Sequence, residues 1–175
     1  MKTLDAAVDF ALPGVDGKTY SLASFKDATA LVVVFSCNHC PYVKAYEGRM
    51  IELQRDYAAR GARLVAINSN DAANYPDDSF DEMKRRAKEQ GFNFPYLADE
   101  SQQAAKAYGA THTPQLFVFG PDRRLAYTGK IDDNWQEPSK VERRYLREAL
   151  DELLAGKPVR EPETHAIGCT IKWKR

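Results

Sequence analysis

Two cysteines stand three residues apart, Cys37 and Cys40, with only Asn38 and His39 between them. They follow the run Leu31 to Phe35, whose consecutive Val32, Val33 and Val34 read as a fully buried strand. A helical pattern begins after Pro41. A dithiol so placed lies at the C-terminal end of a strand and the N-terminal end of a helix. Unpaired N–H groups and the positive end of the helix dipole favour the thiolate there, and the thiolate is the species that attacks disulfides and peroxides. With Cys37 as the N-cap, Pro41 falls in the first turn, where the N–H it lacks has no helical partner. The expectation is that Cys37 caps the helix and is the more exposed and more acidic thiol.

The same spacing can be half of a zinc site or two packed cysteines. Zinc usually needs a second ligand pair, and only Cys169 and three histidines remain in the chain. Strand, CxxC and helix in that order favour redox chemistry, with no metal and no cofactor. A zinc-binding or scaffold module built on Cys37, Cys40, Cys169 and a histidine is the rival from another class.

The 175 residues are enough for one domain with a good core. Lys+Arg and Asp+Glu both number 25, which argues against nucleic acid and anionic membranes as partners. No apolar run of signal-peptide length opens the chain, and none reaches the length of a membrane span. The expected setting is cytoplasmic, where a CxxC is catalytic more often than structural.

The elements that must position the dithiol follow from periodicity. Residues 8–12 and 19–22 flank a Gly14–Gly17 turn and predict an N-terminal hairpin. Val43, Tyr46, Met50, Leu53 and Tyr57 share one face of the helix after the cysteines, which Gly61 ends. Arg63 to Asn68 is the next strand, and Asn70 to Asp78 a polar loop. Ser79 with Glu82 forms a capping box for a helix reaching Gln90. A short extended segment at Phe94–Leu97 and a helix from Ser101 to Tyr108 come next. Gln115–Phe119 and Leu125–Ile131 form an antiparallel hairpin. Ser139 with Glu142 predicts a second capping box, for a helix carrying Val141, Tyr145, Leu146, Leu150 and Leu154 on one face. Residues 1–175 read as a single domain, with 157–175 a C-terminal tail packing on it.

From Val8 to Leu154 the chain resembles the thioredoxin-fold redoxins, a group that includes the alkyl hydroperoxide reductase/thiol-specific antioxidant family. The features that carry this are the N-terminal hairpin, strand–CxxC–helix, and Thr113–Pro114 just before QLFVF. CNHCPYVK and AIGCTIKW together resemble a narrower set of bacterial proteins described as thiol-disulfide isomerases. The resemblance implies an α/β thioredoxin-like fold: a central mixed sheet, helices on both faces, and an N-terminal hairpin extension. It implies a cis Pro114 facing the dithiol, with Ser36 and Thr113 lining the groove that holds a partner chain. It also implies that His39 can donate to the Cys37 thiolate.

There are departures from the pattern. Ser36 replaces the tryptophan of thioredoxins. No acid stands between Ala30 and Ser36 to assist proton transfer. Lys44 and Glu47 are the candidates for that work, although both read as solvent-facing charges. The peroxiredoxin pattern P-x-x-x-T-x-x-C is missing and no arginine adjoins Thr113. Cys40–Pro41 nevertheless resembles the cysteine–proline of peroxidatic sites, which leaves open a thiol peroxidase with Cys40 as attacker.

The expected activity is thiol–disulfide oxidoreduction. Cys37 attacks, a mixed disulfide forms, and Cys40 resolves it. The partners are protein or small-molecule disulfides, peroxides in the alternative reading, and an upstream donor such as thioredoxin or glutathione. Cys169 alternates with Ile171 and Trp173, so it reads as a buried thiol on a short strand; the sharper reading is a third redox thiol. His112 and His165 read as surface or hydrogen-bonded residues, Asp132–Trp135 as a polar loop, and Arg143–Arg144 as a solvated helix face.

Overall fold

The strand before the cysteines, β3 (Ala30–Ser36), is buried along all seven residues. In the computed structural model, which describes residues 1–175, it is the middle of a five-stranded sheet. On one side it pairs in parallel with β4 (Ala62–Asn68), Val33 opposite Val65, and β4 pairs in parallel with β5 (Tyr96–Ala98). On the other it pairs antiparallel with β7 (Gln115–Phe119), which turns back into β8 (Leu125–Gly129). The sheet is therefore mixed, in the order β5-β4-β3-β7-β8.

Covered on both faces, β3 needs no polar residues, which is why its sequence is a continuous apolar run. Val32 and Val34 face one cluster, with Tyr46, Met50 and Leu53 of α1 (Pro41–Tyr57), Met83 of α2 (Phe80–Gln90), and Leu146 and Leu150 of α4 (Tyr145–Leu154). Leu31, Val33 and Phe35 face the other, with Phe25, Phe117, Phe119 and Tyr108 of α3 (Gln103–Tyr108). The N-terminal hairpin is short: β1 (Leu12–Pro13) against β2 (Thr19–Tyr20). This is a thioredoxin-like α/β fold. No helix is long and apolar enough to cross a membrane.

Capping held at one helix and failed at another. The Ser79 hydroxyl accepts the Glu82 N–H at 3.2 Å, so α2 starts where expected. Ser139 does not cap: Pro138–Lys140 is a single 3-10 turn, and α4 begins only at Tyr145. The segment between is pinned elsewhere. Asp133 accepts the Glu142 N–H through Oδ1 at 3.0 Å and donates its own N–H to the Arg143 carbonyl. The carboxylate of Glu148 instead accepts the Arg144 N–H (3.1 Å) at the helix start. Arg143, expected on a solvated helix face, pairs with Glu148 and Glu161.

The tail pairs with the rest of the chain at two places. At Thr164 it lies against β8, donating to the Thr128 carbonyl so closely that a side chain at Gly129 would overlap Thr164. Further on, β9 (Cys169–Thr170) pairs antiparallel with β6 (His112–Thr113), placing Cys169 opposite Thr113.

Candidate active site

β3 ends at Ser36 and α1 begins at Pro41, so the Cys37–Cys40 loop is strung between the central strand and the helix packed on it. The N-cap of α1 is Cys40, with φ −68° and ψ 125°, and Pro41 takes the first helical position. This corrects the expectation that Cys37 caps the helix. The physical reason is the proline. It fits best where its fixed φ matches the first helical residue, and that leaves the preceding residue as the cap. Cys37 is also not the exposed thiol, since Cys37 and Cys40 are both buried.

The two sulfurs differ in electrostatics. A hydrogen bond from the Cys37 thiol, with further help from the Cys169 thiol and the N–H groups of Val43 and Cys169, brings the Cys40 pKa down to about 4 against the opposing effect of burial. The bond to Cys40 pushes the Cys37 thiol up. Burial and the nearby Asp78 charge act the same way, and the Thr113 hydroxyl works in the opposite direction. The two shifts run in opposite directions, down for Cys40 and up for Cys37, so negative charge on the pair is favoured on the Cys40 side. The Thr113 carbonyl, 3.4 Å from Cys40 Sγ, accepts from the protonated thiol and so favours the opposite form.

Thr113 contacts both sulfurs, its Oγ1 lying 3.6 Å from Cys37. The Thr113–Pro114 bond is cis. Ser36, Thr113 and Pro114 are all buried. At the groove expected to hold a partner chain, the backbone of Thr113 is already paired with the protein's own β9, and Gly168 sits so close that a Cβ there would overlap the Thr113 carbonyl. Cys169 Sγ comes within 2.9 Å of Cys40 Sγ. Cys169 is half-buried rather than buried, and Trp173, expected on the same inward face, is exposed while Ile171 is buried.

Sequence reasoning missed Asp78. This buried carboxylate accepts the Asn38 N–H (2.7 Å), the Asn68 amide (3.1 Å) and the Asn70 amide (3.0 Å). His39 Nδ1 lies 2.6 Å from Asp78 Oδ2, a close pair that is not aligned as a hydrogen bond. Cys37 Sγ, a His39 ring nitrogen and an Asp78 oxygen all lie within 4.8 Å of one another. An acid therefore does stand beside Cys37, but it comes from the loop after β4 and not from the strand before the cysteines. Nothing in its local sequence separates Asp78 from the other acids of that loop.

Neither residue proposed for that role reaches the sulfurs. Lys44 is exposed, whereas Glu47 is buried and paired with Arg86, not solvent-facing as its sequence suggests. The Asp132–Trp135 loop is tied to α1: Tyr46 donates to Asp132 Oδ1 (2.7 Å), and Arg49 donates to Asp132 Oδ2 (2.7 Å) and to the Asn134 carbonyl (2.7 Å). His112 meets the Thr111 hydroxyl and His165 is exposed. The zinc set suggested for the rival module does not form. The group that converges is Cys37, His39 and Asp78, with Cys40 facing Cys169 instead, and the Asp78 oxygens already serve three N–H donors.

The site lies within the region, residues 3–128, that matches the model of the AhpC/TSA family. Over 138 residues the chain is 27% identical to a chloroplastic peroxiredoxin Q of Triticum aestivum, covering 75% of this chain and 59% of that protein's length. It is 22% identical over 135 residues to the thiol-disulfide oxidoreductase ResA of Halalkalibacterium halodurans, covering 76% of this chain and 72% of that one. Among solved structures, an uncharacterized conserved protein from Geobacillus kaustophilus superposes with a TM-score of 0.94 at 44% identity, over 99% of this chain and 93% of that one. A thiol:disulfide interchange protein of the thioredoxin family from Chlorobium tepidum gives 0.68 at 23% identity, over 88% and 98%, which is a likeness of fold.

Proposed function

The chain belongs to the AhpC/TSA family, and from that membership we propose that it is a thiol–disulfide oxidoreductase working through Cys37 and Cys40. The observation that carries the reading is Cys40 at the N-cap of α1, its pKa brought down with the Cys37 thiol beside it.

Cys40 Sγ attacks one sulfur of a disulfide and the other sulfur leaves as a thiolate, giving a mixed disulfide on Cys40. Cys37 then attacks Cys40 Sγ, its proton passing to the adjacent His39–Asp78 pair. The Cys37–Cys40 disulfide forms and the substrate departs with both electrons. This reverses the order of attack expected from the sequence, because the helix terminus lies on the second cysteine. An external dithiol of the thioredoxin or glutathione type returns the electrons.

The test is a trap. In a Cys37→Ser/Cys169→Ser variant no second thiol can release the mixed disulfide, so a disulfide substrate stays attached to Cys40, where mass spectrometry finds it. A folded variant that never forms the adduct sinks the reading.

A second reading is a thiol peroxidase with the same attacker, favoured by the acidic Cys40 directly before Pro41. Against it, the partners of the three sulfurs are Thr113, one another and the N–H groups of Val43 and Cys169, with no arginine among them to polarise a peroxide. Comparing hydrogen peroxide with a small disulfide as substrate separates the two.

A further inference from the structure

We infer that Cys169 is a third redox thiol, which takes over the disulfide from Cys37–Cys40 by forming a Cys40–Cys169 bond. The inference rests on the dithiol reading above and adds the step by which that site is recharged.

Three observations carry it. The first is distance. Cys40 Sγ and Cys169 Sγ are 2.9 Å apart, under 1 Å beyond a disulfide bond of about 2.05 Å. The second is how firmly Cys169 is held. Beyond it, Ile171 donates to the Thr111 carbonyl (2.9 Å), Lys172 donates to Asn70 Oδ1 (2.9 Å), and the Lys172 carbonyl accepts from Asp71 (2.8 Å) and from Gln102 (2.9 Å). On its other side Gly168 lies flat on the Thr113 carbonyl, an approach that any side chain would prevent. These contacts hold Cys169 against Cys40 from both sides. The third is access. Cys37 and Cys40 are buried and Cys169 is half-buried, so Cys169 is the most exposed of the three sulfurs.

The step balances without an added oxidant. The Cys169 thiolate attacks Cys40 Sγ of the Cys37–Cys40 disulfide. The Sγ–Sγ bond between 40 and 169 forms as the one between 37 and 40 breaks. Cys37 leaves as a thiolate and takes the proton that Cys169 gave up. Burial first, and then the neighbouring Cys40 thiolate, hold the Cys169 thiol up at about 11, while Lys172 works in the other direction. Once Cys40 is in a disulfide its negative charge is gone, which eases ionisation of Cys169 at the moment it must attack. An external dithiol then attacks Cys169 Sγ, releases Cys40 as its thiolate, and closes its own disulfide.

The experiment oxidises the full-length protein with glutathione disulfide, quenches it in acid and maps the peptides without reduction. The wild type is expected to give both Cys37–Cys40 and Cys40–Cys169 peptides. Cys37→Ser is expected to give Cys40–Cys169 within one chain. Cys169→Ser is expected to give only Cys37–Cys40, and its re-reduction by dithiothreitol should slow roughly tenfold, since an intramolecular step is replaced by attack on a buried disulfide. Gly168→Val should lift the strand, so Cys40–Cys169 falls while Cys37–Cys40 persists. Cys40 and Cys169 both free in oxidised Cys37→Ser, or a Gly168→Val map equal to the wild type's, would overturn the relay. If Cys37–Cys40 still forms in the wild type, the dithiol reading survives that result; a wild type that never forms Cys37–Cys40 sinks the dithiol reading instead.

Discussion

The backbone N–H of Asn38 donates to Asp78 Oδ1 at 2.7 Å, which ties the loop between the two thiols to the loop after β4. The bond fixes the height of Cys37 against the helix. It also brings a buried carboxylate to the side of the pair away from Cys169. Tyr96 extends the network, its hydroxyl donating to Asn38 Oδ1 at 2.8 Å.

Asp78→Asn tests this network. The amide keeps the size but turns an N–H donor toward groups that are themselves donors. A buried unmet donor costs about 1–3 kcal/mol, read as a lower urea midpoint. Closure of Cys37–Cys40 should slow as well, because Cys37 loses its proton acceptor. Unchanged stability together with unchanged closure would remove Asp78 from the site.

Alkylation of the reduced protein should modify Cys40 ahead of Cys37 and Cys169. The Cys40 rate should hold level from pH 8 down to about 5 and fall as the pH approaches about 4. The sign for stability is the same. The folded pKa lies below that of a free thiol near 8.5, so the unfolded chain binds more protons between the two values, and the contribution of this thiolate is complete above the higher value and lost as pH falls through the lower. A rate that tracks an ordinary thiol would refute the assignment of the thiolate to Cys40.

Arg86→Met should destabilise the protein by about 3–5 kcal/mol, since it strands the Glu47 carboxylate between α1 and α2 without its partner. The double change Glu47→Leu/Arg86→Met should recover most of that loss. Urea unfolding measures both, and an Arg86→Met midpoint equal to the wild type's would show that the pair holds neither helix in place.

What the sequence by itself determined is local. The valine run specified a strand buried on both faces because two covered faces leave no place for alternation. Ser79 with Glu82 specified a helix start because the two groups meet one turn apart, and the structure closes that contact at 3.2 Å. CxxC between an apolar run and a helical pattern located the candidate site. Tertiary structure decided the rest. Ser139 has the same motif as Ser79, yet Asp133 claims the Glu142 N–H first, so the helix starts later. Glu47 looks like a surface charge until α2 brings Arg86 over it. Asp78 lies 40 residues from Asn38, and Cys169 lies 129 from Cys40. Periodicity and capping report only what a residue's neighbours within a turn or two require. Which cysteine holds the thiolate, what sits beside its partner, and which thiol closes over it depend on contacts between segments that share no local pattern, and those exist only once the sheet has brought the segments together.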